Sequence, residues 1–80
     1  MSMDWRNHIH SDPGILGGKP VIRGTRISVE LVLEYLADGA SVADVLQAYP
    51  HLDEKSVRAS IAFAHDMIVD EAPLAKQRAA

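Results

Sequence analysis

The 80-residue chain contains no cysteine. That excludes a disulfide-stapled secreted scaffold and any Cys–His catalytic pair. It has no apolar run near the ~20 residues needed to span a membrane. Its start, Met1-Ser2-Met3-Asp4-Trp5-Arg6, has neither the apolar centre nor the cleavage pattern of a signal peptide. A cytoplasmic protein with no membrane association is therefore expected. No Gly-x-Ser-x-Gly and no phosphate-binding loop occur, because Gly17-Gly18-Lys19 lacks the spacing and the following Ser or Thr. The expectation is a non-enzyme with no cofactor. A strong charge of either sign is also missing. The net charge is −3, so tight binding to every duplex as a monomer is not expected.

Charge is nevertheless unevenly placed. Residues 1–30 hold four cations (Arg6, Lys19, Arg23, Arg26) against three acids, and residues 31–80 hold four against eight. The front is mildly basic and the back acidic. At this length there is room for one domain, whose burial is incomplete. Association of copies is one way to cover the remaining apolar surface.

Residues 1–13 show no helical period and are expected as an N-terminal arm, with His8, His10 and Asp12 alternating as in a short strand. Asp12-Pro13-Gly14 is a turn signal. Ile15-Leu16 and Val21-Ile22 flank Gly17-Gly18, which suggests a hairpin. Arg23-Gly24-Thr25-Arg26-Ile27 continues extended, with a bulge at Gly24 able to bring Arg23 and Arg26 to one face. Alternatively, the glycines only permit tight turns, and Thr25 closes one by a hydrogen bond.

From Ser28 the period becomes helical. Val29, Val32, Leu33 and Leu36 form a stripe that Ser28 caps and Gly39 stops. Ser41 and Asp44 resemble a capping box for a second helix carrying Val42, Val45, Leu46 and Tyr49, which Pro50 ends. Asp53 caps a third helix with Val57, Ile61, Ala64 and Ile68 as its expected buried face, Phe63 and Met67 beside it, and an end near Glu71. Tyr35 and Tyr49 fall at the edge of the core. Residues 14–72 thus make the domain, and residues 73–80 a frayed tail. The fold class is mainly α: a three-helix, homeodomain-like helix-turn-helix bundle behind an N-terminal β-hairpin.

The short link Pro50-His51-Leu52-Asp53 sets the second and third helices at a steep crossing, with Leu52 plugging the angle. In that arrangement the last helix can enter a major groove. Lys55, Arg58, Ala62 and His65 share an outward stripe, and Ser56, Ala59 and Ser60 are small enough for close approach. The candidate DNA contacts are Lys55, Ser56, Arg58 and Ser60, with Lys19, Arg23 and Arg26 from the glycine-rich segment. An ordinary solvated face is the alternative.

The run Gly17-Gly18-Lys19-Pro20-Val21-Ile22-Arg23-Gly24-Thr25-Arg26-Ile27 resembles the opening segment of domain-of-unknown-function family 433. The likeness continues through Leu36 to Ser41, Ala48 to Leu52 and Val57 to Ala64, and covers roughly residues 10–66. It implies a homodimer, or a higher even oligomer, joined through N-terminal strands, with Ile15, Leu16, Val21, Ile22 and Ile27 as candidate ribbon contacts. It also implies a VapB-type antitoxin that represses its own operon by binding operator DNA and neutralises a PIN-like nuclease toxin. Such antitoxins usually offer an extended arm; residues 73–80 are short for one, and residues 1–13 are the other candidate.

Two other classes compete. A protein-interaction module would use the acidic back without DNA. A metal-dependent enzyme would need His8, His10 and Asp12 on one side of a strand, while His51 and His65 have no spacing that joins them to such a site.

Overall fold

The computed structural model describes residues 3–71. A 3-10 turn at Trp5–Asn7 leads into β1, Ile9–His10. A second 3-10 turn, Leu16–Gly18, precedes β2, Val21–Ile22. Three helices follow: α1 Val29–Ala37, α2 Val42–Ala48 and α3 Glu54–Glu71. The fold is the expected one, three helices behind a short antiparallel hairpin.

The hairpin pairs differently from expectation. β2 pairs with β1, Ile9 opposite Ile22 and His10 opposite Val21, and not with Ile15-Leu16. The reason is local. Asp12 accepts the Gly14 amide at 2.8 Å through its side chain and the Ile15 amide at 2.8 Å through its carbonyl. Leu16, Gly17 and Gly18 then all adopt positive φ, +49°, +67° and +91°. The two glycines supply backbone freedom, but to a compact turn inside a long loop. Ile9 is the residue that enters the core, at 2% exposure.

Each helix begins at a side-chain cap. Ser28 accepts the Leu31 amide at 3.0 Å. Ser41 and Asp44 form the reciprocal box, at 3.0 and 2.9 Å. Asp53 accepts both the amide and the hydroxyl of Ser56 at 2.8 Å. α1 stops in a Schellman turn: Ala40 donates to the Tyr35 carbonyl and Gly39, at φ +104°, to that of Leu36.

The core joins Ile9 and Ile22 to Val29, Val32, Val45, Leu52, Val57 and Ala59. Leu52 plugs the α2–α3 corner as expected, and Tyr35 and Tyr49 pack together at its edge, 5.6 Å between ring centroids. Within the expected N-terminal arm, Trp5 packs on α3. Trp5 meets Phe63 edge-on at 4.8 Å and donates from Nε1 to Asp66 at 2.8 Å. The tail expected at 73–80 lies outside the described residues. Among the described residues no helix is long and apolar enough to cross a membrane.

α3 is turned relative to expectation. Its buried positions are Ser56, Val57, Ala59 and Ser60, whereas Ile61 is 47% and Ile68 66% exposed. Small residues let α3 approach its neighbours closely. The buried Ser60 hydroxyl is satisfied by the Ser56 carbonyl one turn back, at 3.2 Å. The apolar period at 57, 61, 64 and 68 is real, but only Val57 of that set is fully buried.

Candidate nucleic-acid interface

Between β2 and α1 the chain folds into a tight loop. The Thr25 amide donates to the Ile22 carbonyl at 3.0 Å, and the Ile22 amide to the Ile27 carbonyl at 3.0 Å. The Thr25 hydroxyl donates to the Ile22 carbonyl at 2.8 Å and accepts the Ile27 amide at 3.0 Å. Gly24 takes φ +79° inside this loop, a conformation disfavoured for residues bearing Cβ. The segment expected to be extended with a bulge is therefore a closed turn, and Thr25 is its structural clasp.

The turn brings Arg23 and Arg26 to one place. With Gly24, Thr25, Ile27 and His51 they line an open, largely polar groove of about 480 Å³. His51 belongs to the α2–α3 corner, so the groove joins the arginine turn to the helix-turn-helix. Arg23 is steadied by two hydrogen bonds to the Arg6 carbonyl, 3.3 Å from Nε and 3.2 Å from its terminal nitrogen. Arg6 itself lies 4.5 Å from the Trp5 ring centre. Neither Arg26 nor Lys55 pairs with a carboxylate among the described residues.

The other expected contacts separate into three groups. Lys55 and Arg58 are exposed on α3, Arg58 with an i,i+4 partner in Glu54 at 3.5 Å. Such an exposed pair is weak and easily exchanged for another anion. Lys19 lies elsewhere, bridged to Glu30 at 3.1 Å over an apolar cleft with Pro20, Val29, Leu33 and Phe63. Ser56 and Ser60 are buried, at 8% and 0% exposure, so they cannot meet DNA. They face the core because α3 needs small residues where it packs.

The expected dimer ribbon is similarly divided. Val21 and Ile22 are buried in the chain's own core, at 0% and 3% exposure, while Leu16 stays 44% exposed and Ile15 and Ile27 half-buried. The first two have no surface left to offer another copy.

Asp53 ties the corner together. The Ser56 amide and hydroxyl hold its carboxyl below the usual range, with a smaller attraction from His8. Asp44 is lowered in the same way by the Ser41 amide, and Asp66 by the Trp5 indole and then His65. Among the described residues no group of three His, Cys, Asp or Glu side chains gathers at one point. Sequence spacing does not place His51 in any site. Its link to Arg23 and Arg26 is purely three-dimensional.

These elements define a small three-helix helix-turn-helix domain with a basic turn set against its corner. Residues 9–64 match the family model described as "Protein of unknown function (DUF433)", and the chain belongs to that family. It is 44% identical over 59 residues to "Uncharacterized protein y4eO" of Sinorhizobium fredii (strain NBRC 101917 / NGR234). The match covers 74% of this chain but 27% of that protein, so the chain spans about a quarter of the relative's length. No solved structure matches the chain.

Proposed function

We propose that this chain is a cytoplasmic DNA-binding subunit that acts as a dimer and represses its own operon as the antitoxin-type partner of a PIN-like nuclease. The observation that carries the DNA-binding part is the groove shared by Arg23, Arg26 and His51. It sets two arginines beside the helix-turn-helix corner, near the start of α3, as cations available to a phosphate while that helix lies in a major groove. Lys55 and Arg58, exposed on α3, are the further candidate contacts of this reading. The partner and operon parts come from the family likeness.

The test is a gel shift and anisotropy titration on the protein's own upstream DNA over a salt series. Binding should be salt-sensitive. Removing one cation that neutralises a phosphate lowers the log–log salt slope by about 0.9, so Arg23→Ala/Arg26→Ala should flatten it by roughly two per chain. Arg23 also braces the Arg6 carbonyl, so thermal stability is followed in parallel. Absence of salt-sensitive binding, with or without the neighbouring gene product, refutes the repressor reading and leaves a protein-interaction module.

A further inference from the structure

Four of the five exposed large hydrophobic side chains among the described residues lie on α3: Ile61, Met67, Ile68 and Val69. Ile61, Ala64 and Ile68 fall at i, i+3 and i+7 on one stripe, the spacing of a two-helix seam. The stripe begins at the buried Val57 and then leaves the core: Ala64 is half-buried, and Ile61 and Ile68 are 47% and 66% exposed. A soluble surface seldom carries such a stripe without a partner.

We propose that two copies of this chain pair through this stripe, α3 against α3 and antiparallel, about a two-fold axis between Ala64 and His65. Three observations favour a second copy over another partner. The first is self-complementarity, because that axis sets Ile61 of one copy level with Ile68 of the other, a match that isologous pairing requires. The second is charge. The first half of α3 carries Lys55 and Arg58, and the second half carries Asp66, Asp70 and Glu71. Antiparallel pairing brings Arg58 level with position 71, a glutamate; parallel pairing sets like charge on like. The third is reach. With a rise of 1.5 Å per residue the two α3 starts fall roughly 32 Å apart along the pair, close to the ~34–36 Å between half-sites one DNA turn apart. Arg58 stands about a quarter-turn round the helix from the seam, so the two-fold sets both copies of it on one face. This third point rests on the DNA-binding reading; the first two do not.

The ribbon-joined dimer implied by the family likeness differs from this one, since Val21 and Ile22 are occupied within the chain. The experiment is analytical ultracentrifugation of the full chain without DNA across a concentration series, so its outcome is independent of any operator. The wild type should move towards twice its 8.7 kDa mass, and Ile61→Asp/Ile68→Asp should stay monomeric with an unchanged helical circular-dichroism signal. Leu16→Asp should dimerise like the wild type. Because the chain lacks cysteine, Ala64→Cys should cross-link between copies on oxidation, and Ile61→Cys, which lies away from the axis, should not. A monomer at every concentration overturns the proposal. So does a dimer broken by Leu16→Asp but not by Ile61→Asp/Ile68→Asp. Efficient cross-linking through Cys at 61 in place of 64 overturns the antiparallel register.

Discussion

Replacing Asp53 by alanine removes one carboxylate oxygen that accepts two hydrogen bonds, from the Ser56 amide and hydroxyl, both at 2.8 Å. Loss of an acidic N-cap costs about 0.5–2 kcal/mol. Ser56 is only 8% exposed, so its hydroxyl loses its acceptor with little water to replace it, which places the cost near the top of that range. For a domain of this size about 1.5–2 kcal/mol lowers the melting temperature by roughly 10 °C. Asp53→Asn keeps an oxygen acceptor and should lose only a few tenths of a kcal/mol. The pH dependence has a definite sign. The folded Asp53 carboxyl titrates below its unfolded value, so its stabilisation is full above the unfolded pKa of about 3.9 and is lost as pH falls through the folded one. The gap between wild type and Asp53→Ala should therefore be wide at about pH 7 and shrink in acid, with the Asp53→Asn curve less affected. Asp44 and Asp66 shift in the same direction, so the gap between proteins is the measure, not the wild-type melting curve alone. Circular-dichroism melts at several pH values provide it. A gap that is absent at neutral pH, or unchanged in acid, would refute the account of how α3 starts.

Trp5→Ala should destabilise the fold by about 2 kcal/mol, less than the ~3–5 of a fully buried tryptophan because Trp5 is half-buried. Trp5→Phe should recover part of this through the ring contact to Phe63 while losing the bond to Asp66; a urea titration followed by circular dichroism measures both, and full stability of Trp5→Ala would return residues 1–13 to a free arm. Ser60→Ala should change stability by about 1 kcal/mol or less and leave DNA affinity as it was; a large loss of affinity with the fold intact would place Ser60 at the interface after all.

The helical part was legible because its signals are local. Ser28, Ser41 and Asp53 each sit a few residues from the amides they accept, and Gly39 and Pro50 stop the helices from within the same stretch. What stayed hidden depended on distance or on rotation. Ile9 and Ile22 are thirteen residues apart, and a Gly-Gly pair between two apolar dipeptides gave a nearer, wrong partner. On α3 the larger side chains at 61 and 68 suggested a core face, but the tight packing of helices selected Ser56, Ala59 and Ser60. Periodicity finds an apolar stripe without saying which neighbour it serves. In the candidate site, Arg23 and Arg26 were visible as cations, yet their meeting with His51 depends on a closed turn that the glycine permits and Thr25 clasps.

The Trp5–Asp66 bond spans 61 residues, and that has a consequence during synthesis. A ribosome adding about 5–20 residues per second needs roughly 3–12 s to pass from the donor to the acceptor. Over that interval the indole waits for the helix it docks on. The segment around Trp5 is thus made before α3 and is among the last parts of this domain to settle. A substitution that weakens the later turns of α3 would leave that tryptophan in water.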